Sequence, residues 1–223
     1  MSDETNNSIG EIKCIILKDK REIHLNDQND DISISIISDG ITQSSFPILY
    51  PEAGYSSGSL FLSPSQMYLI FAYYSGQSEE AFTLFKIIGN RLELVFESGY
   101  SEGEAASYGF SRDENLLIQG LPISCSLYDW KDYVEQGFAE KDETENMFFE
   151  FGYINILDIA KKILSEHQIR VYPSENAENF PEENYNPFMC PTMISADAFK
   201  ISMPWGAETL ELPLKETIIF HIS

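Results

Sequence analysis

A five-residue phrase that occurs twice sets the repeat length of this chain. Gly-Tyr-Ser-Ser-Gly at 54–58 returns as Gly-Tyr-Ser-Glu-Gly at 99–103, which is 45 residues further on. Each copy leads into an apolar run, a polar turn and a second apolar run, over 60–71 in the first copy and over 108–118 in the second. Self-similarity at a period in the forties, with several short strands in each unit, indicates a repetitive all-β architecture.

The first repeat contains four predicted strands. The Gly-Asn pair at 89–90 is a two-residue turn signal between two apolar runs. The predicted strands span about 59–62, 67–74, 81–88 and 92–97, and the second copy adds strands near 106–110, 115–119 and 124–129. Four antiparallel strands make one blade of a β-propeller. We therefore predict a mainly β fold, a small β-propeller-like array of four-stranded antiparallel units, with a β-sandwich as the alternative.

The pattern changes in the second half of the chain. Residues 131–190 interrupt the repeats with acidic stretches, and apolar residues across 156–164 recur at a spacing near 3.6, which predicts a helix. Strand-like runs resume at Thr192. The predicted organisation is a flexible tail at 1–9 and a single β domain at 10–223, which carries the helix-containing acidic insertion at 131–190.

Motifs in the second repeat resemble a WD40-type blade. Such blades run from a glycine phrase through a Phe-Ser-Pro-Asp-Gly-like turn to a Trp-Asp ending. Here Gly99 is followed by Phe-Ser-Arg-Asp at 110–113 and by Leu-Tyr-Asp-Trp at 127–130, and Ser-Pro-Ser at 63–65 occupies the turn of the first repeat. The resemblance covers about residues 54–130. It implies a propeller-like scaffold of the kind that usually binds other proteins, although a fold alone does not determine function.

The net charge restricts the class of partner. The chain carries a formal charge of −22, from 36 acidic residues against 14 lysines and arginines. Such a surface repels nucleic-acid phosphates and anionic lipid headgroups and attracts a basic protein. We therefore expect a protein partner, and neither a nucleic acid nor a membrane. The three cysteines lack paired spacing and the N-terminal residues show no secretory pattern, so we expect reduced thiols and a cytoplasmic protein.

Two serines lie in a pattern that hydrolases use. Ser56 and Ser101 are each the central residue of Gly-x-Ser-x-Gly. In a nucleophile elbow a helix follows the serine immediately, whereas here a strand is predicted after each copy. We interpret both phrases as structural loops and predict no catalytic residue and no cofactor. A serine hydrolase that uses one of these serines is the alternative.

The spacing of histidines and cysteines does not indicate a metal site. No two of His24, His167 and His221 have ligand spacing, and no Cys-x-x-Cys occurs, so we predict no bound metal. Cys14 falls in a hairpin predicted over 11–25, where we interpret it as a small core residue.

The acidic insertion supplies the candidate partner-binding residues. Two of its stretches, 140–151 and 175–185, mix carboxylates with aromatic side chains. Aromatic residues anchor protein interfaces, and carboxylates steer a basic partner toward them. The other interpretation is that the aromatics pack onto the sheet and the charges are solvated loops. The candidates are Asp142, Glu143, Glu145, Phe148, Glu175, Glu178, Phe180, Glu182, Glu183 and Tyr185.

These observations predict a non-enzymatic protein-binding module. A concrete version is an acidic inhibitor or immunity-type protein that neutralises a basic partner. A structural subunit of a larger assembly is a further alternative.

Overall fold

The computed structural model describes most of the chain. Described are residues 13–28, 31–48, 57–74, 79–102, 106–122, 131, 139–144, 146–174, 189–193, 195 and 197–222. The predicted tail at 1–9, the strand predicted at 124–129 and the acidic stretch at 175–185 lie outside these residues. The chain divides into two compact units, Met1–Gln77 with Ala81–Glu97 and Ser78–Glu80 with Ser98–Ser223.

The first unit contains two antiparallel sheets whose strands follow chain order. The first sheet consists of β1 (Cys14–Ile16), β2 (Glu22–Gln28), β3 (Asp31–Ser38) and β4 (Ile41–Ile48). The second consists of β5 (Ser57–Leu62), β6 (Tyr68–Tyr74), β7 (Glu79–Ile88) and β8 (Arg91–Glu97). The first two residues of β7, Glu79 and Glu80, belong to the second unit and pair there with the short strand β9 (Ser101–Glu102). Each sheet is a four-stranded meander, the arrangement of a propeller blade.

The core of the first unit lies between these two sheets. The alternating Ile-Ser-Ile-Ser-Ile segment of β3 places Ile32, Ile34 and Ile36 in this core. They share it with residues of the second sheet such as Phe71 and Phe85. Burial of each such side chain contributes roughly 1.5–3 kcal/mol. The period-two pattern of the sequence therefore decides which face of each strand meets the other sheet.

The polar turn that follows the repeated phrase has the same structure in both copies. The hydroxyl oxygens of Ser63 and Ser111 each accept the backbone N–H five residues later, at 3.1 and 2.9 Å. The fourth residue of each turn, Gln66 or Glu114, has a positive φ of 65° or 54°. Glycine adopts this conformation without strain. Here the serine hydrogen bonds hold the turn with a non-glycine residue in that position.

The second unit contains a mixed sheet and a three-stranded sheet. Its strands are β10 (Ser107–Phe110), β11 (Leu116–Pro122), β12 (Glu140–Lys141), β13 (Met147–Asp158), β14 (Ile163–Pro173), β15 (Thr192–Met193), β16 (Ala198–Met203), β17 (Gly206–Glu211) and β18 (Thr217–Ile222). The mixed sheet has the order β10-β11-β13-β14-β18, with β12 paired to β13 and β18 parallel to β14. The strands β15, β16 and β17 form the other sheet. Buried residues from both sheets, among them Phe151, Ile169 and Phe199, form one core.

The helix predicted across 156–164 is wrong. Residues up to Asp158 complete the twelve-residue strand β13, and a turn at 159–162 leads into β14. Ile156 and Leu157 lie on opposite faces of the sheet, yet both are buried. A strand covered on both faces lacks polar alternation, so its apolar run resembles a helical stripe. The Asp158 carboxylate fixes the turn by accepting a backbone N–H at 3.0 Å.

The predicted fold class is otherwise confirmed. The fold is mainly β, a propeller-like array that contains four-stranded antiparallel units. The four strands predicted in the first repeat match β5 to β8 to within about two residues at each end. The described part of the predicted insertion includes β12, β13 and β14, so this segment extends a sheet.

Gly120 on β11 is expected to tolerate no side chain. A Cβ atom built there would lie 1.9 Å from the Met189 carbonyl oxygen, whereas a Cβ at Gly99 would meet nothing within 4 Å. Because the obstacle is backbone, Gly120→Ala should lower the free energy of unfolding by more than about 2 kcal/mol, and Gly99→Ala should change it by less than about 0.5 kcal/mol. Urea denaturation of the two variants measures both values. Equal losses would contradict the close approach at Gly120.

Candidate functional site

An acidic hairpin in the second unit carries the described part of the predicted binding residues. The acidic hairpin comprises residues 140–150, that is β12, a turn and the start of β13. Glu140 lies opposite Phe148 in the antiparallel register, and Lys141 lies opposite Met147. The hairpin is therefore a short paired ribbon at one end of the mixed sheet.

Asp142 closes the turn of the acidic hairpin. Its Oδ1 atom accepts the Thr144 hydroxyl and N–H, both at 2.8 Å, and the Asn146 N–H at 3.0 Å. These hydrogen bonds, the side-chain bond from Thr144 first, hold the pKa of Asp142 below its usual range. The carboxylate is ionised at neutral pH and is used to shape the turn.

Phe148 lies at the base of the acidic hairpin and is 3% exposed. The Arg170 guanidinium lies over its ring, 4.6 Å from the centroid, and the Tyr172 ring is 5.5 Å away. The structure thus places this predicted binding residue inside the protein, where its contacts attach the hairpin to β14.

The exposed side chains of the acidic hairpin include two carboxylates and a thioether. Glu140 and Glu143 are exposed, and Met147 is 41% exposed. An unbranched thioether beside carboxylates can adapt to a partner surface. The remaining predicted residues lie outside the described part of the chain; they are Glu145, Glu175, Glu178, Phe180, Glu182, Glu183 and Tyr185.

A row of buried polar side chains crosses three strands of the mixed sheet. Tyr108, Gln119 and Asn155 are register partners on β10, β11 and β13. The Asn155 amide donates to the Gln119 carbonyl oxygen at 2.9 Å, and the Gln119 amide donates to the Tyr108 oxygen at 3.3 Å. The phenol in turn donates to the Glu80 carboxylate at 3.4 Å. The hydrogen bonds of this polar row therefore all run toward Glu80.

Glu80 is 7% exposed and also accepts the Ala106 N–H at 2.7 Å. Burial raises the pKa of Glu80 to about 7, because loss of solvent outweighs the hydrogen bonds from Ala106 and Tyr108 that favour the ionised form. The row therefore ends on a carboxyl group that changes charge near neutral pH. Perturbed groups of this kind occur at functional sites and also in structural networks.

Of the two serines in the Gly-x-Ser-x-Gly phrases, Ser101 lies within the described residues. Ser101 lies on β9 opposite Glu80, and β10 begins at Ser107. This is the strand context expected of a structural loop, whereas a nucleophile elbow leads into a helix. Ser56 lies outside the described residues.

The β1–β2 hairpin brings together three side chains that sequence spacing did not connect. Cys14 is the register partner of His24, and Glu22 lies two residues before His24 on the same face of the strand. The Nε2 atom of His24 is 3.5 Å from the Cys14 sulfur and 2.7 Å from a Glu22 oxygen. Cys14 is exposed, so its interpretation as a core residue is wrong. Its neighbour Ile15, on the opposite face, packs against the core.

The hairpin predicted over 11–25 is the sequence feature from which this cluster could have been found. Ligand-spacing rules search for residues close along the chain, and Cys14 and His24 are ten positions apart. Only a hairpin register with its turn centred on Asp19 makes them neighbours. Partial burial and then the Glu22 carboxylate raise the pKa of the Cys14 thiol. A raised pKa disfavours the thiolate that a nucleophile requires.

Comparison with known proteins returned structural similarities alone. No family model and no curated protein matches the chain. Oligogalacturonate lyase from Vibrio parahaemolyticus matches with a TM-score of 0.44 and 13% identity, over 86% of this chain and 45% of the lyase. TolB from Acinetobacter baumannii matches with a TM-score of 0.34 and 11% identity, over 92% of this chain and 44% of TolB. The chain spans less than half the length of either protein, and similarities this weak carry no inference about activity.

Within the described ranges, no helix is both long and apolar enough to span a bilayer.

Glu80→Gln is expected to remove one source of pH dependence from the stability of the chain. Below the unfolded pKa near 4.5 the carboxyl is protonated in both states. As the pH rises toward 7 the unfolded state releases this proton first, so the folded state loses stability, in total on the order of 3 kcal/mol. Glu80→Gln should therefore gain stability relative to the native chain between pH 4 and 8, as measured by urea denaturation.

The exposed Glu166→Gln change is the matched control, because it alters the same charge in the same unit. A stability difference between Glu80→Gln and the native chain that stays constant with pH would contradict the raised pKa.

Proposed function

We propose that this chain is a non-enzymatic, cytoplasmic binding module whose acidic hairpin docks onto a basic protein. An inhibitor or immunity-type role toward that partner is the specific form of the proposal. The observation that carries it is the pre-formed turn of the acidic hairpin, which Asp142 fixes, together with the exposure of Glu140, Glu143 and Met147 along the same hairpin.

Pre-formation of the turn supports a binding role because it lowers the entropic cost of docking. A flexible loop loses conformational freedom when it is immobilised in an interface, at about 0.5–1.5 kcal/mol per side chain. In the acidic hairpin the turn is closed by three hydrogen bonds to Asp142, and Phe148 attaches its base beneath Arg170. The backbone that carries the exposed carboxylates is therefore shaped before a partner arrives.

The charge distribution supports a basic partner. The chain has 36 acidic residues and 14 basic ones, and some of the basic ones are neutralised locally: Arg21 pairs with Asp19, and Lys161 pairs with Asp158, each at 2.7 Å. The excess negative charge raises the rate at which a positively charged protein is encountered. Met147 then supplies apolar area, since charges at the rim of an interface contribute more to encounter and specificity than to affinity.

The resemblance to WD40-type repeats fits the same proposal. Rigid four-stranded blades position loops and hairpins for binding. In this chain the Ser63 and Ser111 hydroxyls hold the corresponding turns of the two sequence repeats. WD40-type scaffolds usually bind proteins, which is why the resemblance favours a binding module over an enzyme.

The proposal predicts that binding depends on the charge of the hairpin. Affinity capture from the native host, followed by mass spectrometry, is carried out with the native chain and with two double variants of equal charge change. Glu140→Gln/Glu143→Gln alters the acidic hairpin, and Glu211→Gln/Glu216→Gln alters exposed positions elsewhere in the same unit. The hairpin variant should lose at least about tenfold of a basic partner that the control variant retains, and high salt should release that partner.

Two outcomes would contradict the proposal in different ways. Equal loss of the partner in the two double variants would show that the hairpin is not the docking site. Recovery of no partner, or of a partner whose binding is insensitive to salt, would contradict the function itself.

A further inference from the structure

Three ligating side chains of different chemistry converge on the outer face of the first sheet. Cys14 on β1 and Glu22 and His24 on β2 each direct one ligating atom into the same space, and those atoms lie within 4.8 Å of one another. Ile23 and Leu25 alternate with them on β2 and are buried in the core. The alternation of the strand therefore fixes the three ligands on the face opposite the core.

The distance between the sulfur and nitrogen ligands matches that of a tetrahedral zinc site. Zn–S and Zn–N bonds of about 2.3 and 2.0 Å at a tetrahedral angle place sulfur and nitrogen about 3.5 Å apart. The Cys14 sulfur and the His24 Nε2 atom are 3.5 Å apart. The 2.7 Å separation of Nε2 and the Glu22 oxygen must widen to about 3.3 Å. The side chains of His24 and Glu22 are 33% and 44% exposed, so both have room to rotate.

The geometry does not fit a thiol–imidazole–carboxylate relay. In such a relay the histidine takes a proton from the nucleophile through one ring nitrogen and is oriented by the carboxylate through the other. Here the Cys14 sulfur and the Glu22 oxygen both approach the same nitrogen, Nε2. Three ligating atoms within 4.8 Å of one another are close enough to share one cation.

We propose that Cys14, Glu22 and His24 bind one Zn²⁺ ion, with the fourth coordination position open to water or to a side chain of a partner. A thiolate, an imidazole and a carboxylate form a borderline-soft set that suits Zn²⁺ and does not suit Mg²⁺ or Ca²⁺, which take oxygen ligands. Binding displaces the thiol proton of Cys14 to solvent and forms the Zn–S bond, with no change of oxidation state.

The position of the site gives the ion a structural consequence. β1 is a three-residue strand at the edge of its sheet, and it pairs with β2 alone among the described strands. A metal bridge from Cys14 to β2 joins this short edge strand to its neighbour. An ion that binds only the folded chain raises the melting temperature by mass action.

The test measures metal binding by the full reduced chain in which Cys125→Ser and Cys190→Ser leave Cys14 as the sole thiol. Excess Mg²⁺ is present throughout to occupy sites made of carboxylates alone. Isothermal titration calorimetry measures Zn²⁺ binding, and Co²⁺ provides the spectroscopic probe. The expected result is a 1:1 complex, with the visible bands of tetrahedral Co²⁺ and a thiolate-to-cobalt charge-transfer band, and a higher melting temperature with Zn²⁺.

Variants in this background assign the ligands. Cys14→Ser should abolish the charge-transfer band, and His24→Gln and Glu22→Gln should each weaken Zn²⁺ binding by at least about tenfold. His167→Gln, which alters a histidine of the other unit, is the matched control and should leave the affinity unchanged. Circular dichroism confirms that each variant is folded. Absence of a 1:1 complex, or a charge-transfer band that survives Cys14→Ser, would overturn the proposal; neither outcome bears on the acidic hairpin.

Discussion

The pairing of β13 with strands on both of its edges is the constraint on which the second unit depends. β13 is bonded to β11 along one edge and to β14 along the other. Its first residues form one arm of the acidic hairpin, its middle carries Asn155 of the polar row, and its last residue begins the turn into β14. At Gly152, where φ is 155° and the register shifts, a Cβ would lie 2.3 Å from the Leu121 carbonyl oxygen. Only glycine permits the bulge and the close approach together.

Two opposed effects meet at Glu80 in the polar row. Hydrogen bonds from Ala106 and Tyr108 favour the ionised carboxylate, whereas burial favours the neutral acid and is the larger effect. At the other end of the row the Asn155 Oδ1 atom is buried without a hydrogen-bond partner among the described residues. An unsatisfied buried oxygen costs about 1–3 kcal/mol. The polar row therefore lowers the stability of the folded chain by leaving this oxygen unpaired. The order of its polar groups across β10, β11 and β13 is set by the register of the sheet.

Local signals predicted much of the fold correctly. The Gly-Asn turn before β8 depends on neighbours within a few residues, and the strands predicted on either side of it are present. The apolar run at 156–164 led to a wrong prediction of a helix because Ile156 and Leu157 are buried on opposite faces of a sheet. The local sequence pattern does not show which distant segments cover those faces. Of the predicted binding residues, Asp142 and Glu143 lie in the turn of the acidic hairpin, while Phe148 is covered by Arg170 and Tyr172. The difference arises because side chains of the neighbouring strand β14 cover Phe148.

The sequence by itself determined the repeat, the strands of the first repeat, the serine-held turns and the large negative charge, because each depends on residues close together in the chain or on composition. Tertiary structure decided which side chains meet. The pairing of Cys14 with His24, the order of the polar row and the parallel pairing of β14 with β18 all follow from strand register. A shift of one residue in any of these registers would turn the same side chains to the opposite face. Register is set by the packing of the whole sheet. The repeated phrase therefore predicts the strands but not the register in which they pair.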